Sequence, residues 1–183
     1  MNLQGVLDRL SHESALRRIP LVLVGGWALH HHGVSRQTLD VDFMVAAEYL
    51  KDVGRILESC GYEMVYRTNL FSKYRSCEES LLDVDVMQID GGTMRKILEK
   101  AKSARMGDAD FRVPCLDHLL AMKMHALKHN EQYRLSKDFP DILALVEQNN
   151  VDVESDAFRE LCFRFGNESL LKRIREAKPR APQ

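Results

Sequence analysis

Two aspartates, Asp40 and Asp42, lie one residue apart in an otherwise apolar segment, residues 39–45. Successive side chains of a β-strand point to opposite faces, so both carboxylates are expected on one face. The residues expected on the core face are Leu39, Val41, Phe43 and Val45. Burying two carboxylates costs free energy unless a cation offsets their charge. Because carboxylate oxygens are ligands that Mg2+ prefers, the spacing predicts a strand that binds a divalent metal ion.

A second pair of strand acids occurs in the segment LLDVDVMQI, residues 81–89. By the same alternation, Asp83 and Asp85 share one face, and the neighbouring valines share the other. This second pair of strand carboxylates repeats the feature of the first. The simpler interpretation is a solvent-facing edge strand with two exposed acids.

Two glycines, Gly25 and Gly26, separate an apolar strand at residues 21–24 from a short helix expected at residues 27–32. Glycine permits positive φ and has no Cβ, so the backbone amides there can approach an anionic ligand closely. A tight strand-to-helix turn is the alternative. The nearby acidic pair favours a triphosphate site, to which Arg36, in the following loop, could contribute unless it is an ordinary solvated arginine.

The C-terminal third carries two charge anomalies in predicted helices. Lys123 lies in the middle of the apolar stripe of residues 115–128, where its ammonium could extend to solvent or neutralise a nucleotide phosphate. In the next helix, Asp138 and Asp141 continue an apolar stripe. Asp138 could instead cap that helix, with Pro140 in its first turn.

Together these motifs resemble the nucleotidyltransferase superfamily related to DNA polymerase β. Residues 21–45 are similar to the AbiEii/AbiGii toxin-like branch and to the antibiotic nucleotidyltransferases. Lys123 followed by Lys137-Asp138-x-x-Asp141 resembles the C-terminal signature of the AbiEii-like enzymes, which extends the resemblance over residues 21–146. The sequence departs from the commonest superfamily pattern in having Gly-Gly-Trp where many members have Gly-Ser.

The resemblance implies an α+β nucleotidyltransferase fold, with a small mixed β-sheet flanked by helices and a C-terminal helical part. The expected domains are a core at residues 1–114, a helical part closing the cleft at 115–177 and a disordered tail at 178–183. The periodicity of the chain predicts helices at 2–17, 48–59, 93–102, 115–128, 137–149, 154–166 and 167–177. Strands are predicted at 21–24, 39–45, 62–67, 70–75 and 81–89, with a hairpin at 103–113.

The resemblance also implies a role for each candidate residue. The implied metal ligands are Asp40, Asp42 and Asp85. The implied phosphate-contacting residues are Gly25, Gly26, Arg36 and Lys123. The implied catalytic residues are Asp85, Lys123 and Asp141. Asp85 would be the third metal ligand or the general base, with Asp83 in reserve, and Asp141 would orient Lys123 or the acceptor.

The implied reaction depends on Mg2+ and moves a nucleoside monophosphate from an NTP to an acceptor hydroxyl, with release of pyrophosphate. The toxin-like branch implies tRNA or a protein as acceptor and an antitoxin as partner. The antibiotic-modifying branch implies an aminoglycoside-like or lincosamide-like acceptor instead. A nucleotide-binding protein without catalytic activity is the third possibility.

Composition places the chain among ordinary globular proteins. It has 183 residues, a formal net charge of -1 and 45% hydrophobic residues, which argues against a surface built entirely for nucleic acid. No apolar run approaches the roughly 18 residues that span a membrane, and the N-terminus lacks a signal-peptide pattern, so we expect a cytoplasmic protein. The four cysteines are scattered, without the spacing of a zinc site or a disulfide framework.

Overall fold

The computed structural model describes residues 2–78 and 81–177, which divide into two compact units. Residues 2–31 and 36–115 form the strand unit, and residues 32–35 and 116–177 form the helical unit. The tail predicted at 178–183 lies outside the described residues. No helix in the described part of the chain has the length and apolar character needed to cross a membrane.

The strand unit is built on a seven-stranded mixed sheet. Its strands are β1 (Leu21–Leu23), β2 (Asp40–Ala46), β3 (Tyr62–Arg67), β4 (Phe71–Ser76), β5 (Asp83–Ile89), β6 (Lys102–Met106) and β7 (Ala109–Val113). Their order across the sheet is β3-β4-β5-β2-β1-β7-β6. The β2–β5 and β1–β7 pairs are parallel, and the other neighbours are antiparallel. The predicted α+β fold, the antiparallel later strands and the hairpin are confirmed.

The helices of this unit are α1 (Leu3–Leu16), α2 (Gly25–His31), α3 (Leu50–Ser59) and α4 (Gly91–Lys100). Helices α1 and α3 share one hydrophobic core with the core face of β2, where Val41 and Phe43 are completely buried. Helices α2 and α4 contact β2 as well. The expectation for Leu39 is wrong, since this side chain is 75% exposed and precedes the strand, which begins at Asp40.

Two helices of the strand unit start earlier than the sequence predicts. Helix α2 begins at Gly25, where φ is +59°, so the glycines form its first turn rather than a separate loop. Helix α4 begins at Gly91, because the Asp90 carboxylate accepts a hydrogen bond of 2.9 Å from the Thr93 amide. Glycine is an unfavourable helix residue, so the helix propensity of the sequence does not predict that glycines begin these two helices.

The helical unit comprises α5 (Leu116–His129), α6 (Glu131–Gln148), α7 (Asp156–Phe165) and α8 (Glu168–Ala177). Helix α6 starts seven residues before Asp138, so the alternative that Asp138 caps this helix is wrong. Pro140 lies inside α6, where proline costs roughly 3 kcal/mol. Burial of the following turn, which includes Ile142 and Leu145, offsets that cost.

Candidate active site

Three carboxylates meet on the face of the sheet opposite the α1–α3 core. Strands β2 and β5 are parallel, and Asp42 lies directly across from Asp85. Oxygens of Asp40, Asp42 and Asp85, hereafter the aspartate triad, all lie within 4.8 Å of one another. A shift of one residue in either strand would turn its acids to the core face, so the β2–β5 register creates the cluster.

Asp85 is a largely buried member of the triad, with a side chain 13% exposed. Its Oδ1 atom is buried and has no hydrogen-bond partner among the described residues. Burial raises the pKa of Asp85 above its usual value, Lys73 opposes the rise, and the charges of Asp40 and Asp83 add to it. The Lys73 ammonium lies 3.4 Å from Asp85 Oδ1. A buried carboxylate within a group of like charges is suited to accept a further cation or a proton.

Asp40 is oriented by the loop that precedes its strand. The Thr38 hydroxyl donates a hydrogen bond of 2.7 Å to Asp40 Oδ1. A Cβ at Gly26 would lie 2.7 Å from the Thr38 Cβ, so the first turn of α2 packs directly on this loop. The loop therefore connects the glycine pair to the acidic strand.

Gly25 touches the triad itself. A Cβ at this position would overlap the Asp42 carboxylate, and the positive φ of Gly25 disfavours any other residue there. The Val24 amide also donates a hydrogen bond of 2.9 Å to the Asp42 carbonyl. The two motifs that sequence analysis joined are thus neighbours in space, while their contact with phosphate stays a prediction.

Sequence analysis missed two cations beside the triad, Lys73 and Arg75 on β4. The Lys73 ammonium lies 3.2 Å from Asp83 Oδ2 and 3.4 Å from Asp85 Oδ1, and Arg75 Nε lies 3.7 Å from Asp83 Oδ1. Partial burial acts to lower the pKa of Lys73, but its hydrogen bond to Asp83 and the charge of Asp85 outweigh burial and raise that pKa. Matching i, i+2 spacings of cations and acids on consecutive strands were the available signal.

The helical unit contains a second charged group, hereafter the lysine cluster: Lys123, Asp138 and Asp141. The Lys123 ammonium lies 2.8 Å from Asp138 Oδ1 and 2.7 Å from Asp141 Oδ2. Lys123 is only 8% exposed, so the alternative that its ammonium extends to solvent is wrong. The predicted contact between Lys123 and Asp141 is present, and their catalytic roles stay predictions.

Arg36 lies in the loop between α2 and β2 of the strand unit and is half-buried. It belongs to the same compact unit as the triad and the glycine pair. Its proposed phosphate contact stays a prediction.

Comparison with known protein families identifies the family of this chain. A family model described as "Nucleotidyl transferase AbiEii toxin, Type IV TA system" matches residues 6–182, nearly the whole chain. The chain belongs to the AbiEii family. This AbiEii-family protein is therefore a member of a nucleotidyltransferase family, as the glycine pair, the strand acids and the C-terminal signature predicted. Among proteins with curated descriptions, none matches its sequence.

Solved structures confirm the fold of this AbiEii-family protein. The crystal structure of ANT(2")-Ia in complex with adenylyl-2"-tobramycin is 13% identical, with a TM-score of 0.63 over 94% of this chain and 96% of that one. Lincomycin-bound LnuA, a lincosamide antibiotic adenylyltransferase, is 16% identical, with a TM-score of 0.54 over 79% and 96%. An antigenic nucleotidyltransferase-like protein from Paracoccidioides brasiliensis is 15% identical, with a TM-score of 0.57 over 98% and 94%.

Proposed function

We propose that this protein transfers a nucleoside monophosphate from an NTP to a hydroxyl group of tRNA or of a protein, with release of pyrophosphate. Family membership supports the reaction class. The observation that carries the proposal is the aspartate triad, whose oxygens lie within 4.8 Å of one another beside the Gly25 turn.

The triad fits a divalent cation in its chemistry. All of its donors are carboxylate oxygens, the hard ligands that Mg2+ selects, and one of them from each aspartate lies within 4.8 Å of the others. Asp40, Asp42 and Asp85 would hold the ion. When bound, Mg2+ supplies positive charge that offsets the charge of the triphosphate and the charge that develops during transfer.

Asp85 is also the proposed general base. Its carboxylate lies within the triad, where it could take a proton from a hydroxyl held at the metal site. Asp83 is less suited to this role, since it lies outside the triad and both Lys73 and Arg75 face its carboxylate. The geometry thus favours the first choice of the sequence analysis over the reserve residue.

The remaining assignments concern phosphate and the acceptor. Gly25 and Gly26 would contact phosphate through their amides, and Arg36 would add a positive charge. Lys123 would counter phosphate charge, and the 2.7 Å contact supports Asp141 as the residue that orients Lys123.

The family description supports a toxin whose activity an antitoxin counters. A second candidate is transfer to an aminoglycoside-like or lincosamide-like hydroxyl, which similarity to the ANT(2")-Ia and LnuA folds supports. A third is nucleotide binding without transfer.

The decisive experiment follows the α-phosphate. The protein is incubated with Mg2+, each NTP labelled at the α-phosphate, and total tRNA, cell lysate, an aminoglycoside or a lincosamide. We expect label on tRNA or protein together with pyrophosphate release, both lost in Asp85→Asn and both retained in the exposed turn variant Asp108→Asn. Label only on an antibiotic would establish the second candidate. NTP binding without pyrophosphate release, unchanged by Asp85→Asn, would establish the third.

A further inference from the structure

Two aromatic residues, Tyr66 and Phe71, hereafter the aromatic pair, lie on the same face of the sheet as the aspartate triad. Lys73 on β4 pairs with Asp85 on β5 and with Tyr66 on β3, so these three side chains form one row across the sheet. In the adjacent row, Phe71 of β4 pairs with Met87 of β5. Neighbouring strands lie roughly 4.8 Å apart, so about 10 Å separates the backbones of Asp85 and Tyr66.

A β-bulge turns Tyr66 toward this face. Met64 pairs with Tyr74, whose buried side chain belongs to the core that α1 and α3 share. Tyr66 lies two residues after Met64 but pairs with Lys73, only one residue from Tyr74 along β4. Without this bulge, strict alternation would put Tyr66 on the same face as Met64. Bulges next to active sites re-aim side chains in this way.

The aromatic pair is held in place and is accessible to solvent. The ring centroids of Tyr66 and Phe71 lie 6.3 Å apart with an interplanar angle of 53°, a favourable tilted contact. Exposure on this face rises from β2 toward β3: Met44 is 3% exposed, its register partner Met87 is 38% exposed, and Tyr66 is 57% exposed. An exposed ring whose orientation a neighbouring ring supports is suited to stack on a planar group.

The aromatic pair lies on the side of the triad where the acceptor is expected. Gly25 lies against the Asp42 carboxylate, so the proposed triphosphate contacts are toward β2. Asp85, the proposed base, is on β5, and Tyr66 lies two strands beyond it in the opposite direction. The separation of about 10 Å between these two backbones is close to the span of one nucleotide, from its ribose hydroxyl to the far edge of its base.

The charges around the aromatic pair favour stacking over attraction of phosphate. Lys73 and Arg75 already face the carboxylates of Asp83 and Asp85, and Glu63 is the register partner of Arg75. Every nucleobase has a π face that stacks on an aromatic ring, and unpaired RNA bases are recognised in this way. An aminoglycoside and a serine or threonine side chain have no such face. An unpaired nucleotide is therefore the acceptor group that fits this surface.

We infer that Tyr66, supported by Phe71, stacks on the base of an unpaired nucleotide of an RNA acceptor and so directs a ribose hydroxyl of that nucleotide toward Asp85. This assignment rests on the proposed function, in which Asp85 takes the proton of the acceptor hydroxyl, and it selects RNA over protein as the acceptor. Tyr66 then contributes to binding of the acceptor and not of the NTP.

The first test measures α-phosphate transfer by the full-length protein with Mg2+, at varied concentrations of total tRNA and of the labelled NTP. Tyr66→Ala should raise KM for tRNA about tenfold, the usual effect of losing one base–aromatic stack, and should leave KM for the NTP within about twofold of wild type. Tyr66→Phe keeps the ring and should behave as wild type. Tyr133→Ala makes the same substitution at an exposed position of α6 and is the matched control.

Direct binding separates this assignment from the proposed function. Fluorescence anisotropy without NTP compares a short labelled single-stranded RNA with the same RNA annealed to its complement. We expect the single strand to bind more tightly, because the bases of a duplex already stack on one another, and Tyr66→Ala to weaken its binding about tenfold. Phe71→Leu keeps an apolar side chain but removes the ring contact, and should weaken binding about threefold.

Four outcomes decide the assignment. Label on protein instead of tRNA, reduced by Tyr66→Ala, would overturn it in favour of a protein acceptor. A raised KM for the NTP with an unchanged KM for tRNA in Tyr66→Ala would overturn it by placing the NTP base on the aromatic pair. Unchanged RNA binding and transfer in Tyr66→Ala would overturn it as well, and all three results leave the proposed function intact. Absence of transfer in the wild-type protein, with RNA binding that Tyr66→Ala weakens, would overturn the proposed function and support the RNA contact of Tyr66.

Discussion

In the strand unit, the aspartate triad brings carboxylates within 4.8 Å of one another and leaves Asp85 Oδ1 buried without a hydrogen bond from the described residues. In the helical unit, the lysine cluster places two carboxylates 2.7 and 2.8 Å from a buried ammonium. The acids of the lysine cluster are buried, whereas those of the triad are half-buried. In the lysine cluster one ammonium is paired directly with both acids.

The difference shows how the same residue type serves binding in one place and architecture in another. Like charges that are assembled without full compensation reduce stability, so the triad is costly to the fold and suited to bind a cation. A compensated cluster binds its own helices together, because removing one member disturbs a buried pairing of charges. Mutations at the triad should therefore affect mainly activity, whereas mutations at the lysine cluster should also lower stability, in addition to any loss of the phosphate contact proposed for Lys123.

The largest expected effect is on activity at the triad. Asp42→Asn should slow transfer of the α-phosphate by at least about a thousandfold, the equivalent of several kcal/mol of lost charge stabilisation. Its free energy of unfolding in urea should change far less than its transfer rate, because asparagine has nearly the same size and shape as aspartate. Asp108→Asn, in an exposed turn, is the control. A transfer rate within tenfold of wild type would contradict the assignment of Asp42.

The next effect is on stability at the lysine cluster. Lys123→Met should lower the free energy of unfolding by about 3–5 kcal/mol, because it removes the buried ammonium that contacts both carboxylates, while the half-exposed Arg134 stays 3.6 Å from Asp138. The triple variant Lys123→Met, Asp138→Leu, Asp141→Leu should recover most of this loss, since it removes all three charges.

Lys128→Met, at an exposed position of the same helix, is the matched control for Lys123→Met and should stay within about 0.5 kcal/mol of wild type. A fully stable Lys123→Met variant that no longer transfers nucleotide would contradict an architectural role. It would show instead that the cluster acts mainly in catalysis.

Gly25→Ala should have a smaller effect, but one that reaches the metal site. The substitution imposes positive φ on alanine and pushes its Cβ into the Asp42 carboxylate, for an expected loss of about 2 kcal/mol. Gly61→Ala shares the strain, with φ of +84°, but its Cβ would meet no described atom within 4 Å. Both variants should lose stability in urea unfolding, and only Gly25→Ala should bind Mn2+ more weakly. If both variants bound Mn2+ with equal affinity, the contact of Gly25 with Asp42 would not influence metal binding.

The smallest effect concerns the hydrogen bond between the Tyr62 hydroxyl and the backbone just before β5. The Tyr62 hydroxyl donates a hydrogen bond of 2.9 Å to the Leu82 carbonyl, and burial, with smaller contributions from nearby acidic groups, raises the pKa of Tyr62 from 10.0 to about 12. The stability that this shift contributes is complete below pH 10 and is lost as pH rises through 12.

Tyr62→Phe should lower the free energy of unfolding by about 1 kcal/mol at neutral pH, the usual worth of one hydrogen bond. It should also reduce the loss of stability between pH 10 and 12, measured by urea unfolding at several pH values. An unchanged alkaline profile would show that the neutral contact of Tyr62 does not support the strand that carries Asp85.

Local patterns predicted much of this arrangement because they depend on neighbours in the chain. The alternation of β2 and β5 placed Asp40 with Asp42 and Asp83 with Asp85, and the structure confirms both strands. The apolar stripe of α5 identified Lys123 as unusual, although its pattern did not reveal what the ammonium contacts. The predicted start of α6 was wrong because proline is common in the first turn of a helix, so Pro140 favoured a start near residue 137. Burial of the turn after Pro140 supports a longer helix.

The sequence by itself determined which side chains share a face, because strand and helix periodicities are set by the backbone of a single segment. The tertiary structure alone decided which acids meet which cations, since the β2–β5 and β4–β5 registers and the packing of α5 on α6 join residues far apart in the chain. Those long-range contacts placed Asp85 in the triad, turned Asp83 toward Lys73 and enclosed Lys123 between two carboxylates.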